Sequence, residues 1–296
     1  MDLAHLLTEQ HRPELADLDL RDTLSLVKLM ADDQKHAIEA IAAVEAAITT
    51  AIDAVVERLT AGGRLIYVGA GTAGRLGLLD AAECPPTFNT DRVTGVIAGG
   101  FDAFLSPREA IEDDAAAGAG DLEDADVGEV DAVVAVTASG RTPYTVGAIR
   151  HARGQGALTI GIVCNPDSVL SRHVDHSIEV LVGPEIIAGS TRLKAGTAQK
   201  IVLNTISTVS MVRLGKTFGN LMVDLRATNA KLKDRARRIV AQATGAGAEE
   251  VELALDAAEG EVKVAIIMLL TKGDPETARR QLAAGDGVER KALEAG

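Results

Sequence analysis

The sequence predicts an α/β protein: a doubly wound parallel sheet flanked by helices, followed by a small C-terminal three-helix bundle. Three observations carry this expectation. Between Arg64 and Val212, apolar runs of strand length alternate with segments of helical period. A glycine-rich loop joins the first such run to its helix, and from about Ala241 onward the pattern turns wholly helical. The corresponding division is a sheet domain with an N-terminal helical arm over 1–240 and a helical module over 241–296. Composition agrees with buried parallel strands. Hydrophobic residues make up 47% of the chain, yet only 2% are aromatic and Trp is absent, so Ala, Val, Ile and Leu carry the packing.

The net charge of −13 argues against nucleic acid or a membrane surface as partner, because either would repel most of this surface. An anionic ligand would need a local concentration of donors. Cys84 and Cys164 are too few for a metal or disulfide framework and are expected as small buried hydrophobes. His173 and His176 likewise lack companions for a metal site. The opening residues carry no signal-peptide pattern and no uncharged apolar run approaches spanning length, so a soluble cytoplasmic protein is expected.

Taken in order, residues 1–30 read as an irregular arm and a first helix around Leu24 to Met30. Ile41, Val44, Ile48, Ile52, Val55 and Leu59 then recur at helical steps and predict one long amphipathic helix from Asp33 to Leu59, able to cover the sheet or meet a second chain. The strand Leu65–Val68 follows, then the loop Gly69 to Gly74 and a helix that ends at Glu83-Cys84-Pro85-Pro86. A short strand, Val93 to Ala98, leads to the turn Gly99-Gly100. Ser106-Pro107-Arg108-Glu109 reads as a capping box, which gives Glu109 a structural task and leaves Glu112 without one. Asp113 and Asp114 read as a solvated acidic face, and Asp121 to Asp131 as an acidic loop. The opening pattern then recurs as strand Ala132–Val136, polar loop Thr137–Pro143 and a helix capped by Thr142. Strands Leu158–Val163 and Ile178–Val182 follow, then the turn Gly189–Arg192 and a long helix with Ala198, Val202, Ile206, Val209 and Val212 on one face. The tail holds three helical patterns, 248–258, 261–271 and 274–284, of which the middle one is the most apolar.

Ligands in doubly wound sheets bind at the carboxyl ends of the strands, and here those ends carry Thr72, Ser139, Thr142, Ser190 and Thr191. A G-x-G-x-x-G loop suggests a dinucleotide, but that reading wants an acidic residue about 20 positions on at the end of a second strand, and none is placed there. Hydroxyls and backbone amides on several loops, without a phosphate-binding lysine motif, suit a stable sugar phosphate instead of phosphoryl transfer. Glu83, at the expected C-terminal end of its helix, meets a dipole that disfavours a charged carboxylate, which suits a proton donor. Glu112 then offers a base for proton abstraction beside a carbonyl. Spacing alone favours the plainer alternative, that both are helix-surface glutamates.

The string GAGTAGRLGLLDAAECPPTF (69–88) closely resembles the signature of the N-acetylmuramic acid 6-phosphate etherases, members of the sugar isomerase (SIS) superfamily. Further matching blocks are ASGRTPY (138–144), GSTRLKAGTAQK (189–200) and GKTFGNLMVDLRATNAKL (215–232), and with LLTE near the N-terminus and a ubiquitin-associated-like tail the likeness spans nearly the whole chain. The resemblance implies a SIS-type fold, a homodimer, and cleavage of N-acetylmuramic acid 6-phosphate to N-acetylglucosamine 6-phosphate and D-lactate without metal, nucleotide or other cofactor. It implies elimination followed by hydration on the ring-opened sugar. The family's acid falls on Glu83 and its second glutamate on Glu112, with substrate contacts at Gly71, Thr72, Ala73, Ser139, Gly140, Thr142 and Ser190. Arg192 and Lys194 are candidates for the lactyl carboxylate.

The chain departs from the family pattern in places. The usual GTSGR reads GTAGR, so Ala73 removes a hydroxyl where the family offers one, a loss of about 1 kcal/mol for a neutral hydrogen bond. Thr191 and Leu193 replace Ser and Met, and the arm RPELADLD (12–19) keeps only part of the pattern. The rival from another class is a non-catalytic sugar-phosphate sensor similar to the glucokinase regulatory protein, whose longer chain duplicates the sugar-binding domain. An aldose–ketose isomerase of the same superfamily shares the loops but gives no reason for the ECPP block.

Overall fold

The computed structural model describes residues 5–105, 109–225 and 230–294. The chain divides into two units. One holds the chain up to Ala82 together with Arg92–Ser207, and the other holds Glu83–Asp91 and the chain from Thr208 onward.

The first unit opens on short 3₁₀ turns and then helices α1 (Thr23–Asp33), α2 (Lys35–Ala42) and α3 (Glu45–Thr60). The single long helix expected over Asp33–Leu59 is thus two, parted at Ala43 and Val44. No Gly or Pro marks the break. Val44 leaves helical geometry at φ −119°, and the apolar spacing runs on across the joint, which hid it from a periodicity argument. Strand β1 (Leu65–Gly69) leads directly into α4 (Gly71–Phe88), followed by β2 (Val93–Ile97) and the short α5 (Asp102–Leu105). Then come α6 (Ala115–Asp124), β3 (Ala132–Val136), α7 (Pro143–Gly154), β4 (Leu158–Val163), β5 (His176–Glu179) and α8 (Lys194–Arg213).

The five strands form one sheet in the order β2-β1-β3-β4-β5, with every neighbouring pair parallel. Side chains alternate across it. Ile66, Val68, Val133 and Ala135 face Leu122 of α6 and Tyr144 and Ile149 of α7. From the opposite face, the Tyr67 hydroxyl donates to Asp80 Oδ2 on α4 at 2.8 Å and reaches the Leu203 carbonyl on α8. Helices therefore cover both faces, as the near-continuous apolar strands require.

Several local expectations change. The segment read as an acidic loop begins inside α6, and Asp114, exposed as expected, also caps that helix by accepting from Ala116 N and Ala117 N. No apolar stripe marks this helix in the sequence, because its contact face is built from small residues. A Cβ at Gly118 would meet the Tyr144 carbonyl at 2.0 Å, so α6 and α7 touch backbone to backbone. Asp131 is also structural, accepting from the Arg64 amide and guanidinium at 2.9 and 2.7 Å. Helix α4 continues past Glu83 with Pro85 and Pro86 inside it, and the Thr87 hydroxyl donates to the Glu83 carbonyl. Asn89, at φ +48°, follows its last residue. Glu83 therefore sits short of the helix end, where the dipole acts weakly. Strand β5 starts and ends earlier than Ile178–Val182. Ser106, Pro107 and Arg108 of the expected capping box lie outside the described residues.

The second unit contains a small antiparallel pair, β6 (Thr217–Phe218) and β7 (Leu221–Met222), and helices α9 (Ala230–Thr244), α10 (Ala248–Ala257), α11 (Val262–Thr271), α12 (Pro275–Ala284) and α13 (Glu289–Glu294). Its core is centred on Val262, Val264, Ala265, Ile266 and Ile267 of α11, joined by Ile239 and Val240 of α9. The three tail patterns appear as α10 to α12, with α12 begun by Asp274 accepting from Thr277 N ahead of Pro275.

Candidate active site

At the carboxyl end of the sheet, the β1–α4 junction is drawn tight by glycines. A Cβ at Gly69 would lie 2.8 Å from Gly74 N, and one at Gly74 would lie 2.6 Å from Gly69 O and 2.7 Å from Ile97 Cγ1. Gly71 turns the chain at φ +53°. Helical bonding begins with Gly74 N to Ala70 O at 3.1 Å, so the amides of Gly71, Thr72 and Ala73 have no helical carbonyl to serve. Such an end attracts anions.

The β3–α7 loop approaches from the neighbouring strand. Its three hydroxyls form a chain: Thr137 Oγ1 lies 2.8 Å from Thr142 Oγ1 and 3.3 Å from Ser139 Oγ, which accepts from Arg141 N. Thr142 precedes Pro143, the first residue of α7, but its side chain makes no cap hydrogen bond and stays on the loop. The third contribution is the segment before α8. There the buried Glu185 carboxylate accepts from Lys194 N at 3.1 Å and Ala195 N at 2.9 Å, and its burial pushes the carboxyl above the ordinary range. Lys194 is itself buried, with Nζ 3.2 Å from Asp33 Oδ1, which also takes Arg12 at 2.6 Å. This internal cluster holds the α8 entrance in place and commits the Lys194 ammonium to Asp33.

These segments enclose a cavity of about 740 Å³. Gly71, Thr72, Ala73, Ser139 and Thr142 line it, as do Glu112 and Arg192. The Glu112 carboxylate stands directly over the glycine turn: a Cβ on Gly71 would meet its Oε1 at 2.8 Å. Three other site candidates do not line the cavity. Gly140 lies behind the loop, at φ +68°, where a Cβ would collide with Ser168 at 2.3 Å. Ser190 is half-buried beside the lining residues Gly189 and Thr191. Glu83 is exposed on α4 and falls in the second unit.

The cavity also holds residues that sequence patterns did not single out. Glu9 reaches it because the N-terminal arm is tied down: Asn165 Nδ2 donates to the buried Thr8 hydroxyl at 2.9 Å, and Arg141 contacts His5. Glu9 Oε2 would lie 3.0 Å from a Cβ on Gly189. Arg75 lines it while donating to the carbonyls of Ala103 and Phe104. Gln199 of α8 completes the wall. Position within LLTE was the available signal for Glu9, and a polar residue beside Ala198 on an apolar-faced helix was the one for Gln199. Among the described residues no group of three or more His, Cys, Asp or Glu could hold a metal ion, and no helix is long and apolar enough to cross a membrane.

Comparison with known proteins sharpens this picture. Residues 115–208 match the SIS domain, and residues 47–153 match the glucokinase regulatory protein N-terminal SIS domain. A phosphoheptose isomerase from Francisella tularensis superposes with a TM-score of 0.51 at 17% identity, covering 65% of this chain and 100% of that one, a likeness of fold. The N-acetylmuramic acid 6-phosphate etherase of Rubrobacter xylanophilus is 63% identical over 285 residues, covering 96% of this chain and 95% of its own. That of Mycolicibacterium smegmatis is 50% identical over 298 residues, covering 100% of both. With its SIS fold and near full-length identity to these enzymes, the chain belongs to the N-acetylmuramic acid 6-phosphate etherase family.

Proposed function

We propose that this protein is a carbon–oxygen lyase that cleaves the D-lactyl ether of N-acetylmuramic acid 6-phosphate, giving N-acetylglucosamine 6-phosphate and D-lactate. The observation that carries the reading is the 50–63% identity with etherases over nearly the whole chain. The cavity supports it chemically, since one carboxylate stands over an anion-attracting glycine turn flanked by hydroxyls.

The phosphate sits against the α4 amides and the hydroxyls of Thr72, Ser139 and Thr142. Glu112 removes the C2 proton of the open-chain sugar, which the C1 aldehyde acidifies. The C3–O bond breaks with its electron pair on the lactyl oxygen, which takes up a proton; the family resemblance assigns that donor to Glu83, a residue that does not line this cavity. Water then adds across the double bond, with hydroxyl to C3 and a proton to C2. The role of Glu83 rests on the family resemblance. Arg192, exposed on the cavity wall, is a candidate cation for the lactyl carboxylate. We further place the protein in the cytoplasm, where phosphorylated sugars are held, acting as a homodimer in amino-sugar recycling.

A non-catalytic sugar-phosphate sensor shares the SIS match over residues 47–153. The near full-length relatives favour the enzyme. D-lactate release from N-acetylmuramic acid 6-phosphate decides between them. Wild-type protein is expected to release lactate, while Glu112→Gln and Glu83→Gln bind product normally and lose about 10²- to 10⁴-fold in kcat. Tight binding of phosphosugar without lactate would establish the sensor.

A further inference from the structure

We infer that Gln199 is a substrate-binding residue whose side-chain amide donates a hydrogen bond to the phosphate of the bound phosphosugar. Gln199 is 1% exposed, yet its Nε2 finds no hydrogen-bond partner among the described residues. It lines the same cavity as Thr72, Ser139 and Thr142. A buried amide donor without a partner is costly, and folded proteins keep few of them. One that opens on a ligand cavity is explained if the ligand supplies the acceptor.

The position on α8 selects the acceptor. Gly196 packs against α4, and a Cβ there would lie 3.5 Å from Thr72 Cγ2 and 3.9 Å from Leu76 Cδ1. Gln199 follows Gly196 at i+3, so it lies on the same helix face, turned toward the glycine turn and its first helical residues. That is where the phosphate binds in the proposed function, on which this inference rests. The requirement is also electrostatic. The wall nearest the turn carries the Glu112 carboxylate, while Lys194 is spent on Asp33. Arg75 lines the cavity with two of its nitrogens given to the carbonyls of Ala103 and Phe104, so a phosphate dianion there also draws on neutral donors, and a primary amide adds one without a desolvated charge.

The inference predicts an unusual pairing of effects. Gln199→Met and Gln199→Leu remove the unpartnered donor and keep the volume. The ligand-free variants are expected to melt at the wild-type temperature or above it, by roughly 2–4 °C. Affinity for N-acetylglucosamine 6-phosphate, by calorimetry, is expected to fall about 10- to 100-fold, as for a hydrogen bond to a charged group. Unphosphorylated N-acetylglucosamine at high concentration is expected to bind both forms alike. If both variants bind the phosphosugar as the wild type does, or lose the unphosphorylated sugar equally, the assignment to phosphate is overturned. A lowered melting temperature with unchanged affinity likewise makes Gln199 a structural residue. Lactate release by the wild type keeps the two readings apart. Release with unchanged variant affinity overturns this inference alone. Phosphosugar binding without release overturns the reaction alone.

Discussion

Each of the two units contains a cavity, and the two are nearly equal in size, about 740 Å³ in the sheet unit and about 730 Å³ in the helical one. They differ in what their polar groups have left to do. Around the helical cavity several of the charges answer one another. Arg237 pairs with Glu252 through two contacts at 2.5 and 2.8 Å. Asp224 lies 2.9 Å from Lys216 and 3.2 Å from Lys263, and Lys263 also donates to the carbonyls of Gly215 and Gly287. Around the sheet cavity, a helix start offers amides with no helical acceptor, three hydroxyls sit in contact, and Gln199 Nε2 has no partner among the described residues. Volume alone does not mark a site. Unspent donors placed by rigid elements do.

The contrast can be broken most sharply at Glu112, where the amide substitution is expected to leave binding intact and remove most turnover; an equal loss from any charge around the helical cavity would erase the distinction. The next largest effect belongs to stability in the helical unit. Glu289 is fully buried, and burial pushes its carboxyl up to about 7 from 4.5. The folded state therefore holds a proton that the unfolded chain has released. The stabilisation is complete below about pH 4.5, declines as pH rises toward 7, and is lost above it, a change of up to about 3 kcal/mol. Urea melts of this unit's signal across pH 5–8 should show that fall, and Glu289→Gln should flatten it. An unchanged slope in the variant would assign the pH dependence elsewhere.

A smaller effect returns to the sheet cavity. Ala73 lines it at 8% exposure, in the place where the family pattern carries Ser. Ala73→Ser is expected to lower KM about fivefold, equivalent to about 1 kcal/mol from one neutral hydrogen bond. An unchanged KM would put that hydroxyl out of reach of the ligand. The smallest effect is expected at Arg237, half-exposed in its ion pair. Arg237→Ala should leave kcat and KM within about twofold and shift Tm by no more than roughly 2 °C. A clear change in turnover would show that the helical cavity also takes part in the reaction.

The sequence by itself determined the alternation of strands and helices, the glycine turn after β1 and the hydroxyl loop after β3. These follow from local rules: apolar period, glycine where the backbone must pass closely, and Thr142-Pro143 opening a helix. Long ordered blocks, from ECPP to GTAQK, carried the family. Tertiary structure alone decided which polar residues share a wall. Glu9 comes from an arm pinned by Asn165, and Gln199 from a helix read as packing. It also parted α2 from α3 and gave Asp114 and Asp131 structural tasks. The physical reason is that a hydrogen bond or a cavity wall depends on distance in space, while periodicity records only which face of an element a residue occupies.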